Sequence, residues 1–515
     1  MKSIRIFCII AILFVSTNIK ANNIVISNIS SVIGSGFVQL QFDLSWENSW
    51  NNAINRDAAW VFFKFKDRDG TWQHLNLTNA NNVITAGFAI QVPTDLTGAF
   101  IYRNSGSGTN TLTGVQVGVS NLPGSFDIKG FAIEMVRLPL NATYSLGDGS
   151  GGFRYQTSTT VEIPYLVNTN TITMGTTAGL LNDVMGNGAL ATGFPIGYTG
   201  LSTTNLYMMK HEISQGAYRD FLNTLTYNQQ VTRTGVAPNS AAGTLAMDAF
   251  SGSYRNRLEI ATPGINSTTP AVYGCDFDND AIYNEATDGE WIACSYLAYM
   301  DVAAFLDWAA LRPMTELEFE KACRGPLTPV NAENAAGTNA LYTGAWSISN
   351  GGTNNEIVTT YSGSVLNANI TYTGVSPSGV SPLRVGIHAT PFATRISAGA
   401  GYYGALDLTG NINEIAVTTH SVAGRSYTGV SGNGTLNALG EADEDFWPGI
   451  NNNTTTGNPN LAYAGVWGVT GAAGFQQRGG SANSAAGNVT VSIRNPGAGT
   501  STRTLSTGGR GVKSW

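Results

Sequence analysis

Apolar and polar residues alternate most clearly near the start of the chain. Val38, Leu40, Phe42, Leu44 and Trp46 fall on one face, and Gln39, Gln41, Asp43 and Ser45 on the other, so the stretch is expected to be a half-buried strand. Trp60–Lys66 is a second apolar run in which Phe63 and Phe65 flank Lys64. Asp69-Gly70 then signals a turn, and Thr71–Leu77 is the expected hairpin partner. Phe131–Leu138 and Thr159–Tyr165 read as further strands, the latter ending near Pro164. Turns rich in Gly, Asn and Ser separate these runs, a pattern that predicts an all-β sandwich over residues 22–170. Trp46, Trp50 and Trp60 fit either a sugar platform or the core, and core packing is the expectation.

Helical patterning appears only after Asn168-Thr-Asn170, which is read as the boundary between two domains. Ser214 is placed to cap a helix running to about Leu225, with Ala217, Phe221 and Leu225 on one side. Asp301 is read as the cap of another, with Phe305 and Trp308 turned inward. The best-written helix follows Thr315. Glu318 stands three residues on, where its carboxylate can return to the Thr315 N–H. Lys321 and Arg324 suit the negative end of that helix, Gly325 is read as its left-handed stop, and Pro326 prevents continuation. Phe319, Ala322 and Cys323 share a face expected to be buried, with a capped surface helix as the alternative.

The 515 residues suffice for two or three domains, and only 12% of them are charged. The net charge of −7 and the lack of a Lys/Arg cluster exclude a phosphate-reading patch, so nucleic acid is not an expected partner. Lys2 and Arg5, the apolar run Ile6–Val15 and the polar approach to Ala21 read as a secretory signal peptide over 1–21. No later segment is long and apolar enough to be transmembrane, so the mature chain is expected to be exported: periplasmic, cell-surface or extracellular. Three cysteines then remain. Cys275 and Cys294 enclose a polar loop and are the expected disulfide, and Cys323 is a core residue.

That loop carries Asp276, Asp278 and Asp280 in alternation, followed by Asn284 and Glu285. Alternating carboxylates resemble the start of a calcium loop, which gathers hard oxygen ligands at short range. Ala281 stands where such a loop has its Gly, and a solvated acidic turn is the alternative reading.

Five ordered stretches carry a family resemblance. They are Tyr207–Leu225, Trp308–Gly325, Tyr403-Gly-Ala-Leu-Asp-Leu-Thr-Gly-Asn-Ile-Asn-Glu414, Arg478-Gly-Gly-Ser481 with Ile493-Arg-Asn495, and Gly508-Gly-Arg-Gly-Val512. Their order and spacing resemble the formylglycine-generating enzyme (sulfatase-modifying factor) family over 171–515, about two thirds of the chain. The N-terminal part is similar to regions that precede such domains in exported proteins of the Bacteroidota group. The resemblance implies an α+β chain whose second domain is an irregular variant of the C-type lectin fold, opened by a short strand at Ile172–Gly175. It implies calcium at Gly410, Asn411, Ile412 and Glu414, and a second site near Ala368-Asn369-Ile370 that lacks its usual Asp.

The family's active members bind copper(I) through two cysteines after the Gly-Gly-Ser motif and use oxygen to oxidise a substrate cysteine. Here Ser484 and Val489 occupy those positions, no cysteine follows Cys323, and the family's last aromatic is Ile415. An alkoxyl cannot replace a thiolate for copper(I). His74, His211, His388 and His420 offer no spaced pair for iron. The expectation is therefore an exported, non-catalytic member that acts as a binding or assembly module for a protein or glycan at the cell surface, with calcium and without copper. A formylglycine-type oxidoreductase and a self-assembling filament or surface-layer subunit are the alternatives.

Overall fold

The computed structural model describes residues 23–120, 127–157, 162–169, 171–198, 205–344, 346–361, 367–373, 381–390, 393–453, 455, 467–494 and 501–514. The expected signal peptide and Asn495 lie outside the described residues. The chain is a β-rich α+β protein. Its first strands are β1 (Val25–Gly34), β2 (Phe37–Asn51), β3 (Asp57–Lys66), β4 (Trp72–Leu75), β5 (Leu77–Val83), β6 (Phe88–Gln91), β7 (Ala99–Arg103), β8 (Gly106–Val119) and β9 (Ile128–Leu138).

The alternation in β2 folds as expected: Leu40, Phe42, Leu44 and Trp46 are all buried. β2 lies in a four-stranded sheet of order β1-β2-β8-β5. Its inward residues pack with Leu112, Val115 and Val117 against Ala59, Val61, Phe63, Ala99 and Ile101 of a second sheet. Phe42 and Phe63 meet with ring centroids 5.3 Å apart. Each such side chain stabilises the fold by about 1.5–3 kcal/mol. The β3–β4 hairpin also forms, with Gly70 at φ 82° in its turn.

β3 carries no alternation because both of its faces are covered, the usual origin of a continuous apolar run. On its second face Trp60 and Phe62 join a core that contains Leu146, Phe305 and Trp308. Trp60 Nε1 donates to the Ala309 carbonyl at 2.9 Å, and buried Lys64 donates to the Trp308 carbonyl at 2.7 Å. The fold thus places Trp46 and Trp60 in cores and leaves Trp50 half-buried.

The expected boundary at residue 170 does not interrupt the second sheet. β9 pairs antiparallel with Leu206–Met209, which pairs with Gly511–Ser514, and Arg312–Pro313 closes the edge. Residues on both sides of the boundary therefore share one eight-stranded sheet and one core. Pairings between such distant segments have no local signature in a sequence.

Other expectations shift locally. Of Thr159–Tyr165, residues 159–161 lie outside the described residues, Glu162–Pro164 form no strand, and a short strand begins at Tyr165. Ile172–Gly175 forms only a single bridge, from Met174 to Leu181. Helix α1 (Gln215–Leu222) starts at Ser214 as read, and its cap accepts the Ala217 N–H at 3.2 Å. After α2 (Tyr227–Arg233), α3 (Tyr299–Trp308) begins at Ala298 and not at Asp301. Asp301 sits inside the first turn and accepts the Ala298 N–H at 2.9 Å.

Helix α4 (Glu316–Arg324) has the reciprocal cap: Thr315 Oγ1 accepts the Glu318 N–H at 3.2 Å, and Glu318 Oε2 accepts the Thr315 N–H at 2.9 Å. It is no surface helix, since every one of its residues is buried. Gly325 stops it with φ 61° and ψ −146°, a positive φ but not the left-handed helical shape. Among the described residues no helix is long and apolar enough to cross a membrane.

Candidate functional site

Three polar regions were candidates, and the fold treats them differently. The first surrounds α4. Glu316 receives Arg494 Nε at 3.0 Å and Nη2 at 2.7 Å, Arg478 Nη1 at 3.1 Å and the Tyr155 hydroxyl at 3.2 Å. Arg478 continues to Glu320 at 2.9 Å, Arg324 joins Glu320 to Glu333, and Arg494 also grips Asp183. Arg312 forms a two-pronged pair with Glu318 at 3.0 and 2.6 Å. Every charged side chain in this web is essentially excluded from water. Burial by itself pushes the Glu316 carboxyl up, but Arg494 and Arg478 override it and hold the group down to about 2. The landmark Arg and Glu residues are thus bound to one another.

Of the two positions where the resemblance led us to expect cysteines, Ser484 borders this web. Ser484 is half-buried and lines a cavity of about 280 Å³ with Asn413, Gln477, Asn488, Arg478 and Arg494. Its Oγ accepts the Ser481 N–H at 2.9 Å, the geometry of a turn. Val489 is fully buried among Tyr342, Trp346, Ile370 and Leu383 and presents nothing to the cavity. A larger cavity of about 630 Å³ runs along Leu190–Tyr198 to the N-terminal end of α4, where its acid and base, Glu318 and Arg312, already face each other.

The second region is Gly410–Glu414, expected to hold calcium. Both Glu414 oxygens instead accept from Arg510, at 2.5 and 2.8 Å, and both side chains are fully buried. Asn411 bridges, donating to Glu212 Oε2 at 2.6 Å and accepting the Leu383 N–H at 2.9 Å, while its carbonyl takes the Ala482 N–H. The Ile412 N–H donates to Glu212 at 3.2 Å, and the Gly410 N–H to Gly479. A guanidinium therefore neutralises the carboxylate that an ion would need, and the expected calcium ligand set does not fit. Burial, then Asp407 and Glu414, push the Glu212 carboxyl well up. Near Ala368-Asn369-Ile370, Asn369 donates to the Ser397 carbonyl at 2.8 Å.

The third region is the acidic loop after the hairpin Leu258–Thr262/Val272–Cys275. Asp276 accepts the N–H groups of Asp280 and Ala281 at 3.0 and 3.2 Å. Asp278 accepts the Thr287 hydroxyl at 2.6 Å, and Asp288 Oδ2 accepts the Glu285 N–H at 2.6 Å. Carboxylate oxygens of Asp276, Asp278 and Asp288 come within 4.8 Å of one another, a cluster able to hold a metal ion. Asp280 is not in that group; it joins Asp278 and Glu285 in a second, fully exposed one. The reading of the sequence missed Asp288. The signal was there: it stands in Asp288-Gly289 just beyond Glu285, one position after a twelve-residue loop would end. The missing Gly is no obstacle, because Ala281 itself adopts φ 67°.

The expected Cys275–Cys294 disulfide is corrected: both are free, buried thiols, as is Cys323. Cys294 Sγ lies 3.8 Å from Asn256 Nδ2, and hydrogen bonds of Asp276, Asn284 and Asp288 shape the loop without a bridge. Burial pushes all three thiols up, away from the reactive thiolate. His211 and His388 are buried and burial lowers both, the latter to about 4.

No family model matches the chain, and no curated protein matches it. Fold and site together define a β-rich α+β protein with a self-paired ionic centre and an acidic loop able to take a cation.

Proposed function

We propose that this chain is an exported, non-catalytic relative of the formylglycine-generating enzymes. In this reading it carries a β-sandwich joined to an irregular C-type-lectin-like part and acts as a binding or assembly module for a protein or glycan. A single divalent cation is its inorganic component. The observation that carries this reading is the pocket beside Arg478: it is bordered by the hydroxyl of Ser484, Val489 is packed away from it, and the three thiols among the described residues are buried in cores elsewhere. Copper(I) would find no soft ligand there. The family's landmark residues support the same reading as scaffold, because Glu316 binds Arg478 and Arg494, and Glu414 binds Arg510.

The test is to incubate the mature chain with copper(I), oxygen and a cysteine-containing sulfatase peptide, and to follow the peptide by mass spectrometry. No formylglycine is the expected outcome. Product that disappears in Cys323→Ser or Ser484→Ala would establish the oxidase alternative instead.

A further inference from the structure

We infer that the cation is calcium, held by Asp276, Asp278 and Asp288, and that it clamps the 276–288 loop onto the neighbouring Gly352–Glu356 segment. The inference deepens the cation part of the reading above and stands apart from the question of catalysis.

Two independent observations meet at this place. One is the convergence of three carboxylates within 4.8 Å. Three negative charges at that separation repel one another unless a cation joins them. The other is Asp288 itself. The residue is 0% exposed, one of its oxygens is occupied by the Glu285 N–H, and the other, Oδ1, is buried with no partner. A buried bare carboxylate oxygen costs several kcal/mol in water-free surroundings, so a native fold normally supplies its partner.

The surrounding arginines do not supply it. Arg257 pairs with Glu259 at 3.1 Å and touches Asp276 only at its carbonyl. Arg255 pairs with Glu356 and lies 4.9 Å from the Phe277 ring centroid. Arg219 pairs with Glu290 and donates to Asn284 at 2.8 Å. Each is oriented by another acid, and the loop carboxylates are left to an ion from outside.

The donor set selects the ion. It is all carboxylate oxygen, with no imidazole or thiolate in the cluster, which disfavours zinc and copper. Asp278 is exposed, so water can complete the coordination shell. Calcium accepts such irregular sets of six to eight oxygens, whereas magnesium demands a near-ideal octahedron.

The site sits at a junction. Gly289 N–H, next to Asp288, donates to the Gly352 carbonyl at 2.8 Å, and Gly352 N–H donates to Glu356 at 2.9 Å. A Cβ on Gly352 would collide with Phe277 and with the Thr287 carbonyl, so the two segments are in direct contact. An ion that fixes Asp276 and Asp288 fixes both ends of the loop against this partner.

The experiment uses the full mature chain, stripped with EDTA and titrated with calcium chloride by calorimetry, then melted with calcium, with magnesium or with EDTA. The expected result is one calcium per chain with Kd of roughly 10⁻⁶–10⁻⁴ M and a melting point raised by about 2–5 °C, unmatched by magnesium. Asp278→Asn, a change at an exposed position, and Asp288→Asn should each weaken binding at least about tenfold. Proteolysis within 276–288 should slow when calcium is present. Absence of saturable calcium heat, wild-type affinity in both variants, or equal stabilisation by magnesium would overturn the site. Binding without any change in loop proteolysis would overturn the clamp.

Discussion

The web around α4 and the loop at 276–288 use the same chemical group, a carboxylate, to opposite ends. Around α4, Glu316 and Glu320 lie against Arg478, Arg494 and Arg324, so every buried carboxylate meets a guanidinium from the same chain. In the loop, Asp276 and Asp288 are likewise closed to solvent, yet no arginine reaches their side chains among the described residues, and Asp288 Oδ1 has no partner. What separates scaffold from site here is whether the fold itself supplies the opposite charge. A carboxylate that it neutralises is architecture, and one it leaves bare is open to a ligand.

The sharpest way to break this contrast is to empty one side of the ion-pair web. Glu316→Ala takes from Arg494 and Arg478 the acid they share in a dry interior, leaving each with one acid, Asp183 or Glu320, and should destabilise the protein by about 3–5 kcal/mol, measured by urea unfolding. A loss below about 1 kcal/mol would mean that water already screens the web. The loop should respond less and with a sign that depends on calcium. With calcium tens of times above its Kd, Asp288→Asn should lie about 2 kcal/mol below wild type. In EDTA it should equal or exceed wild type, because one of three clustered negative charges is gone.

Acid titration sharpens the same comparison. The Glu316 carboxyl sits at about 2 in the fold and near 4.5 when free. The folded state binds its proton less readily, so its stabilisation is complete above about pH 4.5 and is lost as pH falls towards about 2. Glu316→Gln should flatten that part of the stability profile. The smallest effect belongs to Ser484→Ala, which removes one half-exposed turn hydrogen bond and should cost about 0.5–1 kcal/mol.

What the sequence made legible was local. The alternation from Val38 to Trp46 needs only the two-residue period of a strand, and the Thr315–Glu318 cap closes within one turn. Both appear in the fold as read. Partnerships at a distance left no trace. Glu414 fitted a calcium ligand until Arg510, 96 positions away, proved to occupy it. The sheet that crosses residue 170 depends on β9 meeting Leu206–Met209. A capped, charged helix reads as a surface element unless the arginines that bury its acids can be foreseen, and both partners of Glu316 come from beyond residue 470. The acidic loop falls between these cases. Its alternating acids were visible, but only the fold shows that Asp288 replaces Asp280, because burial and a bare oxygen are properties of three dimensions.

The most direct test of the contrast is to count calcium bound per chain, by elemental analysis after equilibrium dialysis, in wild type, Glu414→Gln and Asp288→Asn side by side. With free calcium held near the wild-type Kd, about equal calcium in wild type and in Glu414→Gln, and at most a small fraction of it in Asp288→Asn, is the predicted result. Calcium retained by Asp288→Asn and lost from Glu414→Gln would contradict it, placing the ion at the carboxylate that Arg510 is held to neutralise.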